Sequence, residues 1–173
     1  METVLPKRKS HHLQGYDYSQ NGAYFITICT HQRRMLFGPN RTPVGADSIS
    51  ARMAVRVFRE IIGQYPAVHC RYFVVMPNHF HALVEIERAR ADMESAPTII
   101  SIVQAFKRYS TVEYIHLVKC GQAASFDKHL WQRSFHDHVI RNETDYRMIA
   151  EYIQSNPRLW HKDCFYEEPP HEP

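Results

Sequence analysis

The stretch Tyr72-Phe-Val-Val-Met-Pro-Asn-His-Phe-His-Ala-Leu-Val-Glu-Ile-Glu87 constrains this chain more than any other. β-Branched and aromatic residues crowd both sides of Pro77-Asn78, which predicts two strands, Tyr72 to Met76 and His79 to Glu87, joined by a tight turn. Side chains alternate along a strand, so His79 and His81 project from one face, about 6.5 Å apart at Cα, while Phe80 and Ala82 project from the other. Two converging imidazoles suit a divalent cation that keeps coordination positions open for chemistry. They equally suit a half-exposed strand with two ordinary polar residues, and the spacing alone leaves both readings open. Glu85 shares the histidine face, as a surface carboxylate or as a group polarising the site.

The flanking patterns supply partners for this hairpin. Tyr24 to Thr30 reads as a strand after the turn signal Asn21-Gly22. Ser48 to Gln64 reads as an amphipathic helix, with Ile49, Met53, Val57 and Ile61 on one face. A second helix, from about Thr98 to Val118, buries Ile99, Ile102, Val103 and Phe106. Leu130 to Phe135 has the aromatic content of a further strand, and His136-Asp-His138 continues it. The dyad His136-Asp137 lacks the other ligands that a metal-phosphohydrolase site would need. A last helix is capped by Asn142, repeats Tyr146, Ile149, Tyr152 and Ile153 in period, and stops at Asn156-Pro157. The resulting order, strand, helix, two strands, helix, strand, helix, predicts an α+β fold. Its ferredoxin-like antiparallel sheet carries helices on one face, and a C-terminal helix bears Tyr152.

Composition narrows the class. A chain of 173 residues with 44% hydrophobic and 23% charged residues has room for one full core. Its net charge of +3 permits a polyanionic partner without requiring one. The four cysteines, Cys29, Cys70, Cys120 and Cys164, form no C-x-x-C pair, which points to free thiols in a reducing cytoplasm. No apolar run is long enough for a membrane span, so a soluble protein with no membrane partner is expected. Residues 1–21 form a basic N-terminal arm with Lys7, Arg8, Lys9, Tyr16 and Tyr18. Such an arm is either a loose tail or a surface whose cations touch phosphates and whose tyrosines stack on bases. Arg33, Arg34 and Lys107 are further candidates for phosphate contacts, each equally a plain surface charge. Residues 161–173 read as a flexible acidic, proline-rich tail.

Tyr152 and Asn156 stand four apart on the last helix and therefore share a face, about 6 Å from each other. The amide oxygen of Asn156 could join His79 and His81 around one cation, with the Tyr152 phenol beside it. Those are the ingredients for a nucleophile attacking a metal-polarised phosphodiester.

Four ordered blocks then resemble one family: Gly15 to Ser19 with Tyr24 to Thr30, Met76 to Glu85, Leu130 to Phe135, and Glu151 to Pro157. Together they are similar to the single-tyrosine transposases of the HUH endonuclease class, in particular the REP-associated tyrosine transposases of bacteria. The resemblance implies a nuclease domain over residues 22–160 that cuts single-stranded DNA beside hairpins. It makes Tyr152 the nucleophile, forming a 5′-phosphotyrosine link, and His79, His81 and Asn156 the ligands of Mg²⁺ or Mn²⁺. It also sets the basic arm against DNA flanking the hairpin, and it implies a bacterial, nucleoid-associated protein. A monomer is favoured by the REP-associated group, whereas other relatives exchange the tyrosine helix within a homodimer. Two other activities fit the residues: a non-catalytic hairpin-binding module, and a hydrolase that activates water.

Overall fold

The computed structural model describes residues 16–18, 20–38, 48–87 and 97–166. Lys7, Arg8, Lys9 and the acidic residues from 167 onward lie outside the described residues. The chain runs β1 (Gly22–Cys29), α1 (Ile49–Gly63), β2 (Val68–Val75), β3 (His79–Ile86), α2 (Ile99–Lys119), β4 (His136–Ile140) and α3 (Glu143–Ser155). The strands form one antiparallel sheet in the order β2-β3-β1-β4, the ferredoxin-like arrangement expected. No helix among the described residues is long and apolar enough to cross a membrane.

Local chemistry explains where the helices begin. Ser48 accepts a hydrogen bond from the Ala51 amide, Thr98 and Ser101 form a reciprocal capping box, and Asn142 accepts from the Asp145 amide. Each cap satisfies amides that the first helical turn leaves without partners.

Strand alternation divides the interior in two. Tyr24, Ile26, Ile28, Phe80, Ala82 and Val84 face α1 and α2, where Phe58 and Phe106 close around Phe80 at ring separations of 4.7 Å each. On the opposite face α3 lays Ala150 and Ile153 against Val74, Met76 and Leu83. The third helix thus covers the histidine side of the sheet, so α1 and α2 alone share a face.

The fourth strand is displaced from its expected place. Leu130 to Phe135 forms only an isolated bridge, Thr30 to Trp131, and the strand occupies His136–Ile140. The aromatic residues there serve burial instead: Trp131 stacks on Phe37 at 5.0 Å and donates its indole N–H to Ser110 at 2.9 Å. Lys107 explains the break. Its ammonium donates to the carbonyls of Gln132, Arg133 and Ser134 at 2.8, 3.2 and 2.9 Å, which turns those carbonyls inward instead of along a sheet edge. Lys107 is half-buried with its ammonium engaged by these three carbonyls, and burial lowers its pKa to about 8.

Candidate active site

Register builds the site before any helix contributes. In the β1–β3 ladder Thr27 stands opposite His81 and Cys29 opposite His79, all on the α3 face. Thr27 Oγ1 lies 2.8 Å from His81 Nδ1, a contact compatible with the tautomer that leaves Nε2 bare. For His79 the tautomer follows by deduction. The Asn78 side-chain nitrogen donates to the Phe165 carbonyl at 2.8 Å, which turns the Asn78 amide oxygen toward His79 Nδ1, also at 2.8 Å. That oxygen can only accept, so Nδ1 carries the proton and Nε2 keeps its lone pair. Buried support of this kind is how proteins orient metal-binding histidines.

Both rings are fully enclosed and 4.4 Å apart at their centroids. Burial, with the Arg33 charge in second place, lowers the His79 pKa to about 3, and burial followed by His79 itself lowers that of His81. The pair is neutral at pH 7, the form in which imidazole binds metals.

α3 delivers the phenol. Its seat is fixed by Tyr146, which donates to Glu85 at 2.8 Å; Glu85 is thus an anchor for the helix, neither a free surface carboxylate nor part of the site. Tyr152 then reaches within 3.2 Å of His81 Nε2 and donates to Asp163 at 2.7 Å. Burial and the Asp163 carboxylate hold that phenol well above its ordinary pKa. Phe25 completes the wall, stacked on His81 at 5.1 Å and edge-on to Tyr152 at 6.1 Å. Asn156, at the end of the helix and 2% exposed, donates its amide nitrogen to Asp163.

Among the described residues two buried side-chain atoms have no hydrogen-bond partner: His79 Nε2 and the Asn156 amide oxygen. Both are lone-pair donors of the expected ligand set. An orphaned buried acceptor is costly, so two together mark a place shaped for a cation.

The segment expected to begin the flexible tail belongs to this site. Residues 161–166 fold back over the histidines, with Phe165 at 4.9 Å from the His79 ring and Trp160 at 5.6 Å. The Asp163 side chain is 1% exposed, and one of its oxygens clusters with a nitrogen of each histidine within 4.8 Å. Sequence reading missed Asp163, Asn78 and Thr27. The aromatics Trp160, Phe165 and Tyr166 around Asp163 were the available signal, because a solvated tail has no use for them.

The candidate DNA contacts separate. Arg33 is exposed at the site's rim, with its guanidinium over Phe165 at 5.3 Å. Arg34 is exposed too and reaches the Ser125 carbonyl at 3.2 Å. Tyr18 is 7% exposed and donates to Asp137, so its ring belongs to the core and offers no face to a base. Tyr16 is half-buried against it, 5.1 Å away edge to face.

The chain is similar in sequence and in fold to known proteins. The family described as "Transposase IS200 like" matches residues 19–156. A Haemophilus influenzae protein, itself uncharacterized, is 32% identical over 92% of this chain and 93% of its own length. The REP-associated tyrosine transposase of Escherichia coli K12 is 29% identical over 81% of this chain and 68% of its own. A REP-associated tyrosine transposase solved bound to a REP hairpin has a similar fold, with a TM-score of 0.54 at 22% identity over 86% of this chain and 74% of that one. The chain belongs to the IS200-like transposase family, and its activity is transposase-like processing of DNA.

Proposed function

We propose that this protein cuts and rejoins single-stranded DNA beside hairpins, with Tyr152 as nucleophile and His79, His81 and Asn156 as ligands of one Mg²⁺ or Mn²⁺. The observation that carries the reading is the 3.2 Å approach of the Tyr152 hydroxyl to His81 Nε2, beside two orphaned acceptors. Held by His79, His81 and Asn156, a divalent cation would supply positive charge that polarises a scissile phosphate.

The protein's own groups do the remaining work. The sheet and α3 hold the phenol oxygen beside the histidines, and Phe25, Trp160 and Phe165 exclude water from the rings. Tyr152 Oη attacks phosphorus while the proton it donates toward Asp163 is released to water, so the Asp163 carboxylate stays ionised. The Tyr152 O–P bond forms, the P–O3′ bond breaks, and the departing 3′ oxygen takes up a proton as a free hydroxyl. Because the phosphate is conserved as an ester, the reverse attack rejoins strands. The relative that is a REP-associated tyrosine transposase, and the similar structure bound to a REP hairpin, support a hairpin as the landmark. Arg33 at the rim is positioned for a phosphate.

Nucleophile and histidines meet within one chain, which supports catalysis by a monomer. Incubation with end-labelled hairpin DNA and Mn²⁺ should leave a denaturant-stable protein–DNA adduct that Tyr152→Phe lacks. Cleavage without adduct in the wild type would replace this reading with a hydrolase that activates water. Recovery of activity on mixing His81→Ala with Tyr152→Phe chains would overturn the single-chain site.

A further inference from the structure

We propose that the segment Asp163–Phe165 is a built part of the cation site, with the Asp163 carboxylate as an anionic ligand and the Phe165 carbonyl setting the proton position on His79. The inference rests on His79 and His81 holding a divalent cation, and it assigns the charge that those residues lack.

Two neutral imidazoles and an amide bring no negative charge to a dication. Mg²⁺ and Mn²⁺ favour oxygen ligands, and a carboxylate adds negative charge to a set that otherwise has none. Asp163 supplies that oxygen from within the enclosure. Its side chain is 1% exposed, and its hydrogen-bond donors are all neutral: the Tyr152 hydroxyl, the Asn156 amide nitrogen and the Phe165 backbone N–H. His79 Nε2 lies 4.0 Å away, beyond hydrogen-bond distance. A buried carboxylate served only by neutral donors is expensive, and a cation between it and the histidines cancels the cost.

The distances agree. Donors about 2.1 Å from an octahedral ion lie about 3.0 Å apart when adjacent and about 4.2 Å when opposite. The 4.0 Å between His79 and Asp163 falls inside that span. One ligand atom from each of His79, His81 and Asp163 lies within 4.8 Å of the other two, close enough to be drawn around one ion.

Phe165 acts at one remove. Its carbonyl turns Asn78, Asn78 places the proton on His79 Nδ1, and Nε2 is left bare toward the ion. Asp163 and Phe165 are tied together by the 2.7 Å bond from the Phe165 amide to Asp163 Oδ1. One short stretch thereby brings the ligand and prepares its neighbour.

The test is Mn²⁺ titration of the full chain by calorimetry, with folding followed by far-UV circular dichroism. His81→Ala should abolish binding, Asp163→Asn should weaken it at least tenfold, and Asp163→Glu should retain it within a few-fold. Loss of binding in His81→Ala with wild-type or tighter binding in Asp163→Asn overturns the role of Asp163 and leaves the histidine site standing. Undiminished binding in His81→Ala overturns the site itself. A measurement on the wild type covers the case of a misfolded variant. With ¹³C-labelled aspartate carboxyls, substoichiometric Mn²⁺ should broaden one resonance selectively, and uniform broadening would refute direct ligation.

Discussion

Asn78→Ala separates the structural and the metal-binding duties of one buried amide. Asn78 is fully enclosed, and its side chain makes two hydrogen bonds of 2.8 Å, to His79 Nδ1 and to the Phe165 carbonyl. Its backbone carbonyl holds the loop after β1 through Thr30 and survives the substitution, so the turn itself should persist. Truncation strands the His79 ring N–H, at about 1–3 kcal/mol for a buried unsatisfied donor, and opens a small void worth about 1 kcal/mol more. A central loss of about 3 kcal/mol in a chain of this length lowers Tm by about 6–12 °C.

The second consequence is chemical. Without an acceptor at Nδ1, His79 gains by shifting its proton to Nε2, the atom that faces Asp163. The lone pair needed by a cation is then capped, and loss of such a supporting partner typically costs about 10–100-fold in metal affinity. Asn78→Asp keeps the acceptor while losing the donor to Phe165, so its Mn²⁺ affinity should fall less than that of Asn78→Ala. Thermal melts and Mn²⁺ calorimetry on the three proteins decide the matter. A destabilised Asn78→Ala chain that binds Mn²⁺ as tightly as wild type would refute the tautomer argument.

Arg33→Ala should reduce the slope of log affinity against log salt for single-stranded DNA by about one and leave melting unchanged, as measured by fluorescence anisotropy. Lys107→Met should do the reverse, lowering stability by about 2 kcal/mol in urea unfolding with no change in salt slope, because its three carbonyl bonds are internal. Acid should destabilise the metal-free chain through its histidines. Their folded pKa values are depressed, that of His79 to about 3, so between pH 6.5 and 3 the unfolded chain binds more protons and stability falls as pH falls. The slope is about 1.4 kcal/mol per pH unit for each fully titrating imidazole, and it should flatten in His79→Gln.

What could be read from the sequence was whatever local periodicity encodes. Two-residue alternation put His79 and His81 on one face and Phe80 on the other, and the sheet keeps that parity. Four-residue spacing put Tyr152 beside Asn156, and α3 keeps that too. What escaped depends on tertiary partners. Lys107 looks like any surface lysine until three carbonyls 25 to 27 residues away converge on it. Tyr18 resembled a stacking residue in a basic arm, yet its hydroxyl finds Asp137 across 119 positions of chain. The fourth strand slipped to His136 because aromatic content reports burial, which Trp131 achieves with a single bridge to Thr30 and no strand around it. Asp163 was assigned to the tail since acidic, proline-rich composition after it masked the aromatic cluster around it.

The two orphaned acceptors lead to a last expectation that involves no DNA. His79 Nε2 and the Asn156 amide oxygen each lost hydration on folding and gained nothing, at about 1–3 kcal/mol apiece. An apolar replacement of similar size would avoid that cost, as cores usually do. A ligand that returns the loss and binds the folded chain alone must raise its stability. At a free Mn²⁺ concentration of one hundred times Kd the gain is about 2.7 kcal/mol, or about 5–11 °C in Tm for a chain of this size. Calcium, which takes more oxygen ligands at longer distances, should return less of it. His79→Ala with His81→Ala should melt at one temperature with or without Mn²⁺. A wild-type chain indifferent to Mn²⁺, or a double variant stabilised as much as wild type, would mean that these acceptors are stranded for another reason and that the ion belongs elsewhere.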